Sequence, residues 1–370
     1  MTPLPLHDFH QKLNGRSFDL EGMEAIGDYG NPRAEHRALL TTAGIVDLSF
    51  RGRLCLAGAD RVRFLHGQVT NDVKKLKEGA GCYAALVNNK GKMQSDLNIY
   101  CLQDELLLDF EPGLVQLVTQ RLEKYIVADD VQVVDVAPHY ALLSVQGPAA
   151  EPLLRQALAM EALPSAPLLF EKSTDPRHGE MYVMLQPRLG TVGYDLFVPL
   201  ASLAAVAESL MSAAKTCGAV PSGWLAFETA RVEAGIPRFG ADMDESTLPL
   251  ESGIEARAVS YSKGCYVGQE IINRIHTIGH VNRQLAGLRF ADPLRALPAK
   301  GEKLFSDGKQ VGHVTSAVQS FALNAPVGLG YVRREVNQLG TELTLGSGDQ
   351  ECIATIAELP FVKSSDPDCA

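Results

Sequence analysis

The stretch "DLSFRGRLCLAGADRVRFLHGQVTNDV", residues 47–73, decides the fold class. It reads as a strand, a turn and then a helix from about Arg61 to Gln68, with Asp60 placed to cap it and the polar Thr70-Asn71-Asp72 to end it. The next segment, "GCYAALVNNKGKMQSDLNIYCLQDELLLDFEP" (81–112), holds two or three short strands separated by Asn-Asn-Lys-Gly and Gln-Asp-Glu turns, a hairpin or meander pattern. "GLVQLVTQRLEKYIV" (113–127) then spaces its apolar residues by three and four, as an amphipathic helix does. The segments 141–158, 179–200 and 201–220 continue the mixture of strands and helices. Because no regular βαβ period emerges, the pattern predicts α+β rather than a doubly wound parallel sheet.

From "QLAGLRF" (284–290) onward the character changes. An Ala- and Pro-rich segment leads into short strands with Gly turns, "DGKQVGHVTSAVQS", "VGLGYVRREV" and "GTELTLGSGDQECIATI", as expected of a small β-barrel or sandwich. The expected organisation is one region over residues 8–284, a second domain over 285–363 and a disordered tail over 364–370.

Composition narrows the function classes. The chain has 370 residues, 46% hydrophobic and 21% charged, enough to bury a large core. No apolar run is long enough to span a bilayer, and the first residues show neither a basic start nor an unbroken apolar stretch, so a cytoplasmic protein without membrane partners is expected. The seven cysteines include no CxxC pair and no zinc-type spacing, so neither a disulfide framework nor a self-contained metal site is expected. A formal net charge of -10 argues against direct nucleic-acid binding. It leaves room for a small anion in a local basic pocket, for which Arg231, Arg238, Arg274, His276, His280, Arg283 and Arg289 are candidates, although such residues also line solvated faces.

Three stretches carry candidate chemistry. In "YSKGCYVGQEII" (261–272), a helix starting near Val267-Gly268 would put Cys265 just ahead of its free N–H groups, with Lys263 adding positive charge; both lower a thiol pKa. The competing reading is a small residue in a tight glycine loop. In "KGKMQSDLNIY", Asp96 is an acid inside an apolar strand, where burial demands a partner or a purpose, unless it caps a turn. In "GTVGYDLFVP", Asp195 enters a strand of large apolar residues, placed to meet a ligand's amine or amide or to face solvent. The pair His276 and His280 has zinc-like spacing, but Gly279 interrupts the helix that would align it.

The order of these pieces, from "EHRALLTTAGIVDLSFRGRLCLAGADRVRFLHGQVTNDV" through "NNKGKMQSDLNIY", "GTVGYDLFVP", "ARVEAGIPRFG", "LPLESGI" and "KGCYVGQE" to "ELPFV", resembles the family of the glycine-cleavage T-protein, a tetrahydrofolate-dependent aminomethyltransferase, over nearly the whole chain. Within it, "KGCYVGQE" looks like the signature of the YgfZ branch, since T-proteins usually carry a non-cysteine residue at the position of Cys265. The resemblance implies a three-lobed ring of two α+β lobes and a C-terminal β-barrel with folate at its centre. It implies Asp195 as the acceptor for pterin, Asp96 as the carboxylate that orients or protonates the folate amine, and Arg231 and Lys363 as further folate contacts. This sequence departs from the T-protein pattern at Ser95, where a second acid is usual, and at Phe227, where an arginine is usual. The expectation drawn is a folate-binding accessory protein for iron–sulfur clusters, with cluster-assembly proteins or cluster-dependent tRNA-modifying enzymes as partners and Cys265 and Lys263 in the active role. A tetrahydrofolate-dependent aminomethyltransferase, or a related one-carbon transferase or demethylase, is its alternative, and a purely structural module a third reading.

Overall fold

The computed structural model describes residues 1–160, 162–291, 294, 296–346 and 352–362. Two antiparallel-based sheets and a closed barrel organise the chain. The first sheet orders the strands Gly81–Val87, Met93–Cys101, Leu106–Phe110, Gly52–Ala57 and Gln132–Asp135. The second orders Phe170–Ser173, Met181–Leu185, Gly193–Pro199, Tyr140–Gln146, Gly44–Asp47 and Val220–Pro221, the last pair parallel. The barrel closes six strands in the order Arg283–Phe290, Pro326–Arg333, Lys309–Gln319, Lys303–Ser306, Glu342–Leu345 and Cys352–Ala357. The α+β class and the three-lobed architecture expected from the sequence are the ones observed. Among the described residues no helix is long and apolar enough to cross a membrane.

The opening stretch folds as read, with a helix over Arg61–Gln68, but its cap differs. The Asp60 side chain caps no backbone N–H of the first turn; it accepts from the Asp130 backbone N–H at 3.0 Å and from the Arg63 side-chain Nε at 3.2 Å. Asp60 therefore ties the helix start to the segment before Gln132–Asp135 rather than satisfying the helix's free N–H groups.

Successive side chains of a strand point to opposite faces, and in the central strands of both sheets both faces are buried. In Leu106–Phe110, Leu106, Leu108 and Phe110 pack with the helices Arg61–Gln68 and Val115–Glu123, while Leu107 faces the other sheet. In Gly193–Pro199, Tyr194, Leu196 and Val198 pack with the helices Ala150–Leu158 and Leu203–Cys217, while Phe197 faces the first sheet. The two inner faces meet in a shared core that includes Cys55, Tyr100, Leu107, Leu142, Met184 and Phe197. Such a seam between two lobes can be apolar along its length or polar at one end; in this protein it is polar at one end.

Candidate active site

Strand register builds the polar end. Asp109 lies opposite both Asn98 and Arg53 in the first sheet, and Asp195 lies opposite both Ser144 and Met184 in the second. Each is two residues from an apolar seam residue on its own strand, Leu107 and Phe197 respectively. Both carboxylates are fully buried, which requires charge partners.

Arg188, in the loop between Met181–Leu185 and Gly193–Pro199, supplies the partner to both. Its Nε donates to Asp195 Oδ2 at 2.8 Å and its Nη2 to Asp109 Oδ2 at 2.7 Å. Ser144 Oγ donates to Asp195 Oδ1 at 2.8 Å. Arg51 holds Asp109 from the other side, Nε to Oδ1 at 2.7 Å, and also pairs with Glu111. From there the charges continue in alternation. Arg238 reaches Glu111 at 3.2 Å and Glu228 at 3.5 Å, Arg231 pairs with Glu228 and Asp242, and Asp242 Oδ1 accepts from Thr315 and Ser316 of the barrel at 2.6 and 2.7 Å. One ionic chain thus links the second lobe, the first lobe and the barrel. Burial opposes ionisation of Asp109, but the Arg51 and Arg188 guanidinium groups outweigh it and hold the carboxyl below the usual range.

Asp96 stands apart from this network. It faces the seam from Met93–Cys101, is half-buried, and its Oδ2 accepts from the Tyr83 hydroxyl at 2.7 Å. Burial, and after it the nearby Glu111 carboxylate, push its pKa up to about 6, against the opposing pull of the Tyr83 bond. It can therefore exchange a proton near pH 6, whereas the arginine-paired Asp109 and Glu111 are held below the usual carboxylate range. Tyr100, also on Met93–Cys101, has a buried hydroxyl with no hydrogen-bond partner among the described residues, in the field of Asp195 and Asp109.

The other residues singled out in the sequence take different places. Asp195 is brought to the seam, but its oxygens are engaged by Arg188 and Ser144. Arg231 is 2% exposed and spends its guanidinium on Glu228, Asp242, Ser316 and the Ile236 carbonyl. Lys363 and the tail lie outside the described residues. Lys263 is buried, and its ammonium donates to the carbonyls of His66, Val69 and Asn71 at 2.5, 2.6 and 2.8 Å. The charge expected to tune the thiol is therefore committed to the backbone of a distant loop. Cys265 is exposed, four residues before the helix Gln269–Ile278. Around it, Tyr266 packs with Val87, Met243 and Ile272, so "KGCYVGQE" acts as a clamp that fastens this loop to the first lobe. His276 binds Glu255 at 2.9 Å and stacks on Tyr261, with no part in a histidine pair.

Sequence reading passed over Arg51, Tyr83, Asp109, Glu111 and Arg188. The signal that found Asp96, an acid inside an apolar strand, is equally present for Asp109 in "LLLDFEP". Nothing local announces Arg188, whose partners are set by tertiary contact.

The comparisons with known proteins agree over the full chain. The sequence matches the GCVT N-terminal domain over residues 6–263 and the glycine cleavage T-protein C-terminal barrel domain over 283–363. It is 31% identical over 363 residues to an aminomethyltransferase of Halalkalibacterium halodurans, covering 97% of each chain. It is 28% identical to that of Halothermothrix orenii, covering 98% of this chain and all of the other. The fold is similar to the crystal structure of glycine cleavage system aminomethyltransferase T from Bartonella henselae, with a TM-score of 0.88, 23% identity and 98% coverage of both chains. These relatives correct the expectation of an iron–sulfur accessory protein with cluster-assembly partners. Full-length likeness runs to proteins named for aminomethyl transfer, and the motif on which the expectation rested serves, apart from its exposed thiol, to fasten a loop.

Proposed function

The chain belongs to the glycine-cleavage T-protein family, and from that premise we propose that it is a tetrahydrofolate-dependent aminomethyltransferase, or a one-carbon transferase closely related to one. The observation that carries this reading is Asp96: a half-buried carboxyl bonded by the Tyr83 hydroxyl at the polar end of the seam, its pKa pushed up to about 6 by burial. A group that takes up and returns a proton there is what transfer of a carbon between two amines demands. Aminomethyltransferases of this family use tetrahydrofolate. The residues present fit it in part. The unpartnered Tyr100 hydroxyl and the single side-chain bond made to Asp96 leave polar capacity of the kind a reduced pterin's amine and amide groups satisfy. When bound, tetrahydrofolate supplies the amine that accepts the one-carbon unit. Tyr100 and Asp96 are the residues assigned to hold it. Asp195, engaged by Arg188 and Ser144 within the protein, enters this reading as the counter-ion of Arg188, and Arg231 as the strut between the helix Trp224–Glu233 and the barrel.

The test is one-carbon transfer from an aminomethyl donor to tetrahydrofolate by the purified full chain, alongside Asp96→Asn. The wild type is expected to turn over, and the variant to lose about 100-fold or more in kcat while still binding tetrahydrofolate. Tetrahydrofolate binding without any transfer, or an Asp96→Asn variant as active as wild type, would overturn the assignment.

A further inference from the structure

The other end of the same seam is hollow. A cavity of about 370 Å³ opens between the two sheets, on the far side of Phe197 and Leu107 from Asp195 and Asp109. Its relation to the ionic network follows from strand geometry. On Gly52–Ala57 the network's neighbour is Arg53 and the cavity's residue is Cys55; on Leu106–Phe110 they are Asp109 and Leu107; on Gly193–Pro199 they are Asp195 and Phe197. Each pair is one i, i+2 step, about 7 Å along a strand. Cavity and candidate active site are thus adjacent and separated by one layer of side chains.

The lining has two parts. The floor is apolar and buried: Cys55, Leu102, Leu107 and Phe197. Tyr140 and Tyr182, both half-buried, form aromatic walls. The rim is acidic. Of its carboxylates, Glu180 is already paired with Lys172 at 2.8 Å and accepts from Tyr182 at 2.9 Å. Glu105 and Asp104, also on the rim, have no cationic partner among the described residues. Glu105 is turned inward: burial first, and then this facing carboxylate, push the Cys55 thiol above its ordinary range. An acid held over an apolar, aromatic hollow with no counter-ion has the complement of an organic ammonium with an apolar body, whose charge meets Glu105 while its carbon frame displaces water from the floor.

We infer that this inter-lobe cavity is a second ligand site, separate from the one-carbon site, that takes a small hydrophobic amine in its ammonium form. The rim selects the sign of the ligand's charge, and the floor selects an apolar or aromatic body of modest size. The inference stands on cavity, charge and aromatic walls, and does not depend on which transfer reaction the neighbouring site performs.

The probe is 2-phenylethylamine, titrated into the full chain by calorimetry or ligand-observed NMR, with 3-phenylpropionate as the matched anion. Saturable binding of the amine and none of the acid is expected. Glu105→Gln should weaken the amine by about tenfold, the size of one charge-assisted contact. Val136→Trp, which fills the cavity from a half-buried loop position, should abolish binding. No binding of the amine to wild type, equal binding of amine and acid, or undiminished binding in a folded Val136→Trp protein would each overturn the inference. The comparison of amine with acid needs no variant, so a Val136→Trp chain that fails to fold leaves the test decisive.

Discussion

The Arg188 guanidinium crosses the seam to Asp109 at 2.7 Å, and in doing so joins two lobes whose other seam contacts are largely apolar. Asp109 and Asp195 are each 0% exposed, and Arg188 is the cation they share, with Arg51 as a second partner for Asp109 and Ser144 as a further donor to Asp195. Removing a single partner from a buried ionic cluster leaves uncompensated charge and costs about 3–5 kcal/mol. Arg188→Ala is therefore expected to lower the urea midpoint by that amount of stability, and Arg188→Lys to recover little of it, because one ammonium cannot reproduce contacts made by both Nε and Nη2. An Arg188→Ala protein within about 1 kcal/mol of wild type would show that the lobes do not depend on this bridge.

Asp96 gives the fold a pH signature. Its folded pKa is about 6, above the unfolded carboxylate value of about 3.9, so the folded protein binds more protons than the unfolded chain between these values. Its contribution to stability is favourable at low pH and is lost as pH rises through 6. Asp96→Asn should accordingly stabilise the protein at pH 8 and have little effect below pH 4, in unfolding titrations at the two pH values. The same residue should set an inflection near pH 6 in kcat/KM, which reports the free enzyme, and that inflection should disappear in the variant. A variant whose stability difference does not change with pH would show that Asp96 titrates normally.

Lys263 and Cys265 separate structure from chemistry within one motif. Lys263→Ala leaves two buried carbonyls and a part-buried one without their donor, and a loss of about 2–3 kcal/mol is expected from charged hydrogen bonds of this kind. Cys265→Ala removes an exposed side chain and should change stability by less than about 0.5 kcal/mol, with transfer activity retained. Loss of transfer in Cys265→Ala, at unchanged stability, would return the thiol to the reaction.

How far the sequence revealed this arrangement depends on the range of the interaction involved. Strand alternation and helix periodicity are local, so "DLSFRGRLCLAG", "GLVQLVTQRL" and the Gly-rich strands after residue 283 could be read as they fold. Asp96 was legible for the same reason, because an acid among apolar strand residues is conspicuous. Lys263 was not: its three acceptors lie 192 to 197 residues away in the chain, and proximity to Cys265 in sequence suggested a role that tertiary contacts give to other groups. Asp195 was correctly marked as unusual, but its counter-ion arrives on a loop that folds back from seven residues earlier, which no periodicity encodes.

The clamp also rests on a glycine. Gly268 precedes the helix Gln269–Ile278 with φ +84°, and a Cβ there would lie 2.4 Å from the Asn88 carbonyl oxygen. Asn88 closes the turn that leads into Met93–Cys101, the strand carrying Asp96 and Tyr100, through its bonds with Lys92 and Gly91. Gly268→Ala thus meets two costs together, a left-handed backbone and a clash with backbone that a flexible side chain cannot relieve. The expected loss is about 2 kcal/mol or more, and because the displaced turn feeds the Asp96 strand, kcat should fall as well although the substitution lies outside the polar end of the seam. Gly268→Ala with wild-type stability and turnover would mean that the loop and the turn move independently, and that the motif fastens nothing the reaction needs.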